Sequence, residues 1–287
     1  MRNVLTVDLE EWFVVEILSD RFDKESWDSL PSRVEDNTYL LLELFERKRV
    51  FATFFALGWV AERRPQLMKD IVGAGHEIAC HSYWHRRVDE LTQEEFEEDT
   101  RRAIDVIGEV CGARVDGYRA PSWSINSSNV WALEVLAKLG FRYDSSIFPV
   151  KHDFYGDIHA PRKLVRLEVG ENQSLLEFPA TTVRLFGHNL PIAGGGYLRH
   201  SPYWYSSMMI RRLNHEGQPA MVYVHPWEFD TSHPKIDGIG LRDRFRQYSS
   251  IKSFQRKLER LLDEFTFVPI GSYIEMASRR PIGFHRE

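Results

Sequence analysis

The sequence predicts an α/β protein whose parallel sheet closes toward a barrel, on three observations. Short apolar runs alternate with helical patterns along the 287 residues, and strand–helix–strand alternation is the mark of parallel strands joined by covering helices. Seven or eight such units are enough to favour closure of the sheet on itself. Finally, side chains suited to metal and acid–base chemistry recur at the carboxyl ends of the apolar runs, where an α/β barrel keeps its active site.

The first run, Val4–Val7, reads as a strand and leads into the acidic cluster Asp8-Leu9-Glu10-Glu11. Val50–Leu57 is the second strand and Glu77–Cys80 the third, followed at once by His81-Ser82-Tyr83-Trp84-His85. Thr92, with Glu95 three residues on, makes a capping box for a helix reaching toward Val110, which Gly112 stops. Gly117–Arg119 is the next strand. Asn126 or Ser127 caps a helix through Leu139, with Gly140 suited to the left-handed position past its end. Arg142–Asp144 and Leu176–Phe178 are strands, and Ser201-Pro202 opens a helix that reaches His215 and stops at Gly217. Met221–His225, the amphipathic helix Ser249–Phe265 and a last strand, Phe267–Ile270, complete the pattern.

Apolar residues make up 43% of the chain and charged residues 28%, with no linker-like tract or repeat, so residues 1–287 read as a single domain. A formal charge of −5 excludes the lysine- and arginine-lined groove of a nucleic-acid binder and leaves local patches such as Arg211-Arg212, which read as solvated helix faces. No apolar run approaches the roughly 20 residues of a membrane span, and the first strand starts too early for a signal core, so no transmembrane segment and a cytoplasmic location are expected. Cys80 and Cys111 suit a reducing compartment as small buried hydrophobes. Cys80 abuts His81, but neighbours along a strand face opposite ways, which argues against a thiolate ligand.

Two imidazoles four residues apart, His81 and His85, can aim at one ion, although among 11 histidines such a spacing also arises by chance. The acidic cluster after the first strand strengthens the metal reading. Two imidazoles plus a carboxylate, with a position open for water, is the ligand set of a hydrolytic divalent-metal site. Arg119, Asp144 and His225 stand at later strand ends. For each alone an ion pair, a cap or a buried hydrogen-bonding histidine is the stronger reading; together that reading weakens and they read as one site.

These residues resemble the polysaccharide deacetylases of carbohydrate esterase family four. The motifs stand as Thr6-Val7-Asp8-Leu9-Glu10, His81-Ser82-Tyr83-Trp84-His85, Arg119-Ala120-Pro121-Ser122-Trp123, Tyr143-Asp144-Ser145-Ser146 and Val222-Tyr223-Val224-His225-Pro226-Trp227. Arg184 to Tyr197 is similar to the appended C-terminal region of an exopolysaccharide- and exosortase-associated subgroup, which would make 180–287 a family-specific completion of the barrel. The resemblance implies a distorted (β/α) barrel of about seven strands, one divalent metal ion and removal of N-acetyl groups from an amino-sugar glycan.

The family's first motif has two adjacent aspartates, whereas here the carboxylates are Asp8, Glu10 and Glu11. Residues two apart in a strand face the same way, so Glu10 is taken as the third ligand beside His81 and His85, with Glu11 the alternative if the strand ends early. The implied roles are Asp8 as general base oriented by Arg119, His225 as general acid with Asp144 its partner, and the Ser122 main-chain N–H as an oxyanion donor. Zinc is the first expectation for the metal, with cobalt, nickel, iron or manganese also compatible. Trp123 and Trp227 are candidate sugar-stacking faces, although, as for Trp12 and Trp84, a core role is the stronger reading of any one of them. Gly194-Gly195-Gly196 is expected to lie near the cleft. Two rivals stand beside this reading: an allantoinase-like cyclic amide or imide hydrolase, and a non-catalytic sugar-binding relative.

Overall fold

A computed structural model describes residues 1–152, 155–170 and 172–278; the end of the expected domain, 279–287, lies outside the described residues. The described residues form eleven strands: β1 (Arg2–Leu9), β2 (Thr53–Ala56), β3 (Glu77–Cys80), β4 (Gly117–Tyr118), β5 (Tyr143–Asp144), β6 (Val165–Val169), β7 (Gln173–Glu177), β8 (Thr182–Leu185), β9 (His188–Pro191), β10 (Met221–Val224) and β11 (Thr266–Val268). Seven of them, in the order β10-β1-β2-β3-β4-β5-β7, form one continuous parallel sheet. β6 adds antiparallel to β7, and β11 pairs with the start of β1. β8 and β9 make a separate hairpin.

The alternation of side chains across the strands separates two cores. Val4, Phe55, Ala79, Tyr143, Leu176 and Met221 turn to one side of the sheet and pack together, an interior fed by nearly every strand. Their neighbours Leu5, Phe54, Cys80, Tyr118, Leu175 and Val222 turn to the other side and meet the helices. Cys80 therefore points away from the interior side, as expected. Among the described residues no ladder joins β7 to β10. That side is spanned by chain from the 181–194 segment: Tyr223 N donates to Ala193 O at 3.2 Å, Met221 N donates to Thr181 Oγ1 at 2.6 Å, and Gly194 bridges Tyr223. The distortion of the barrel is this substituted seam.

The helix expected from Asn126 or Ser127 instead runs Trp131–Lys138, with Val130 at its N-cap and no side-chain cap, whereas the Thr92 signal holds. Thr92 and Glu95 make the reciprocal capping box of the Gln93–Cys111 helix, and Gly112 ends it in the left-handed conformation, φ 61°. Phe267–Ile270 is corrected: β11 ends at Val268, and Ile270 already begins the last helix, Ile270–Ser278.

Candidate active site

β1 turns Thr6 and Asp8 into the interior, and the chain leaving it brings Glu10 to the same region. Glu10, His81 and His85 offer ligand atoms that all lie within 4.8 Å of one another. Glu10 Oε2 stands 2.9 Å from His85 Nε2 and 3.6 Å from His81 Nε2. Ligands on a tetrahedral ion with bonds of ~2.0–2.1 Å sit roughly 3.3 Å apart, so the two distances bracket what one ion needs. His81 Nδ1 lies 2.8 Å from the Arg119 carbonyl oxygen. A carbonyl only accepts, so Nδ1 carries a proton and Nε2 faces Glu10, the arrangement that orients metal-binding histidines. Burial works against the Glu10 carboxylate, but the charge and hydrogen bonds of His85 and His81 overcome it and hold its pKa well below the usual range. The donor set and its spacing fit a divalent cation.

Glu11 goes elsewhere. Its carboxylate accepts from Ser32 Oγ and from Arg33 N at 3.0 Å, at the start of the Val34–Lys48 helix.

The loop bearing the histidines is held from outside. Asp99 accepts from Tyr83 N at 2.8 Å and from Trp84 N at 3.2 Å, and Ser82 Oγ accepts from His85 N at 3.0 Å. Ser82 and His85 have φ of 62° and 54°, and Ser122 and Trp123 have 54° and 53°. Left-handed backbone at non-glycine residues costs on the order of 1 kcal/mol each, and such strain collects at functional sites.

Arg119, wholly buried, reaches across the interior: Nη1 donates to Asp8 Oδ1 at 2.5 Å and to Thr6 Oγ1 at 2.9 Å, while Nε and Nη2 donate to Ser145. His225, just past β10, directs Nε2 toward Asp8 Oδ2 at 3.7 Å and Glu10 Oε1 at 3.9 Å. Its Nδ1 meets Glu228 Oε2 at 3.0 Å. Burial alone would lower the His225 pKa, but the Glu228 hydrogen bond and charge, joined by Glu10 and Asp8, raise it to about 9.

Three expectations are corrected. Asp144 is not the partner of His225, which pairs with Glu228. Asp144 lies on β5 between interior-facing Tyr143 and Ser145, so it turns to the outer side and bonds Ser146 Oγ at 2.6 Å beside Glu177. Trp227 is not a sugar platform: its ring is stacked between His225 and His233, at 5.2 and 5.9 Å, and Nε1 donates to Glu10 Oε1 at 3.2 Å. It braces both His225 and Glu10. Trp123 is packed among Phe148, Tyr223 and the Arg119 guanidinium as a core residue. Ser122 Oγ donates to Glu16 Oε2 at 2.8 Å.

Gly194 lies against the site as expected, since a Cβ there would fall 1.9 Å from Tyr223 Cδ1, and one on Gly195 3.5 Å from His225 Cε1. Sequence reasoning missed Glu228 and Asp99. Glu228 had a signal, a carboxylate three residues past the strand-end histidine; Asp99, mid-helix, had none.

The polysaccharide deacetylase family model matches residues 22–143, and a domain of unknown function (DUF3473) matches 145–275. A peptidoglycan deacetylase of Helicobacter pylori is 36% identical over 107 residues, covering 37% of this chain and 36% of that protein. A chitooligosaccharide deacetylase of Sinorhizobium fredii is 33% identical over 97 residues, 33% of this chain and 42% of that one. The chain thus spans well under half the length of these curated relatives. A solved Mycobacterium smegmatis structure assigned to the polysaccharide deacetylases aligns over 100% of this chain and 96% of its own, with a TM-score of 0.60 and 22% identity, a likeness of fold.

Proposed function

We propose that this chain, a member of the polysaccharide deacetylase family, is a metal-dependent hydrolase that removes N-acetyl groups from amino sugars of a bacterial exopolysaccharide or its precursor. The observation that supports this best is the meeting of a Glu10–His81–His85 donor set with a carboxylate, Asp8, and an imidazole, His225, at one buried spot. A divalent cation, zinc foremost, when bound by Glu10, His81 and His85 would supply Lewis acidity toward the amide carbonyl and the attacking water. Asp8 takes a proton from that water; Arg119 secures its Oδ1, leaving Oδ2 on the His225 side. Water oxygen adds to the amide carbon, with the Ser122 N–H a donor to the developing oxyanion. His225 then gives its Nε2 proton to the departing nitrogen as the C–N bond breaks, Glu228 fixing the ring from Nδ1. The products are acetate and the free amine.

The assay is acetate release from an oligomer of N-acetylglucosamine. Asp8→Asn and His225→Ala should keep the metal and the melting temperature yet lose kcat by roughly two to four orders of magnitude. Ring opening of a cyclic amide without acetate release would favour the imidase-like reading, and neither reaction with metal-loaded protein would favour a sugar-binding role.

A further inference from the structure

The β8–β9 hairpin carries a feature that the catalytic site does not use. Its two-residue turn, Phe186-Gly187, has φ of 50° and 81°, the positive values of the type I′ turn favoured in hairpins. Asn-Gly fills that turn readily, whereas a bulky phenylalanine in the left-handed region is strained. Among the described residues nothing repays the strain, because the Phe186 side chain is 98% exposed.

Near the hairpin three guanidinium groups gather: the charges of Arg184 and Arg212, together with Glu216, bear on Arg162. Arg162 is fastened by Thr182 O at 2.9 Å, and Arg212 Nη2 reaches the Arg184 carbonyl at 3.4 Å. Glu216 pairs with Arg212 at 2.9 Å, which leaves the cluster with excess positive charge on a chain whose net charge is −5. Arg212 also ends an exposed stripe of the Tyr203–His215 helix. Trp204, Met208 and Arg212 fall four residues apart on one face, with Trp204 64% and Met208 47% exposed.

We propose that the hairpin tip and this helix stripe form a docking surface for an anionic phospholipid bilayer. Phe186 and Trp204 enter the headgroup layer, and the Arg162, Arg184 and Arg212 cluster takes lipid phosphates. Aromatic rings with guanidinium groups behind them are the side chains a membrane–water interface selects. A protruding apolar tip offers no concavity for a sugar ring, but a bilayer accepts a projecting group. The surface is independent of the deacetylase reading.

Co-sedimentation with phosphatidylcholine vesicles, with and without phosphatidylglycerol, tests it on the full chain. The protein should sediment with the anionic vesicles only, and less as salt screens the charges. Arg184→Gln should weaken partitioning about fivefold. Phe186→Asn should weaken it roughly tenfold while keeping or raising the melting temperature, because Asn-Gly suits the turn. Equal binding to neutral vesicles, no binding to either, or binding indifferent to both substitutions would overturn the proposal. So would a vesicle-free dimer that Phe186→Asn converts to monomer, which would give the surface to a second copy of the chain.

Discussion

At the residue scale, the division of labour between Glu10 and Glu11 decides the metal reading. Glu10→Ala should abolish metal binding and activity together, measured by elemental analysis and acetate release. Glu11→Ala should leave metal bound and instead lower stability by about 1 kcal/mol in a denaturant titration, because it removes the acceptor of half-buried donors at Ser32 and Arg33. A second expectation concerns Glu228. His225 acts as an acid only while protonated, so activity falls as pH rises through its pKa, which stands at about 9 against opposing burial; a cation at Glu10 draws it lower. Glu228→Gln removes the charge that raises it, so the basic limb of the pH–rate profile should move to lower pH with the acidic limb unmoved. An unmoved basic limb would assign it to another group. Asp8 was legible from strand parity, Glu10 from the same alternation carried one residue past β1, and His81 and His85 from their four-residue spacing. The same parity, applied to Asp144, predicts the outward direction it takes, and a motif resemblance overrode it.

At the element scale, β5 and β7 are joined on the outer side by Asp144 and Glu177, both fully buried. Burial, then the Asp144 charge and hydrogen bond, hold the Glu177 pKa well above the carboxylate range, and burial raises that of Asp144 as well. Carboxyls with raised folded-state pKa values bind more protons folded than unfolded, so their contribution is complete below the unfolded pKa and is lost as pH rises through the folded one. Glu177→Gln keeps a donor for Asp144 and removes one titration; thermal melts should show its stability relative to wild type rising from acid to alkaline pH. A constant difference across pH would mean that the pair does not share a proton. The pair also bears on the site, since Asp144 holds Ser146, whose Oγ accepts from Ala120 N at 2.7 Å, next to Arg119. β6 escaped sequence reading because Arg166 and Glu168 face outward on an edge strand and break its apolar run. The strong capping signals at Thr92 and Gly112 made the Gln93–Cys111 helix the most legible element.

For the whole molecule, alternating apolar runs revealed the seven parallel strands but not the seam between β7 and β10, where the 181–194 segment stands in for a ladder. That segment pairs through backbone atoms and glycine, which leave no periodic side-chain pattern. Yet it lays Gly194 on Tyr223 and Gly195 beside His225. The matched family segments meet at 143–145: His81, His85 and Arg119 fall in the first, His225 in the second, and Asp8 and Glu10 lie ahead of both. The central claim is that this joint site hydrolyses N-acetyl groups with a divalent cation held by Glu10, His81 and His85. The most direct measurement is acetate release from an N-acetylglucosamine oligomer before chelation, after it, and after a divalent ion is returned. The account predicts activity, its loss and its recovery, with His81→Ala inactive throughout; full acetate release from rigorously metal-free protein would contradict it.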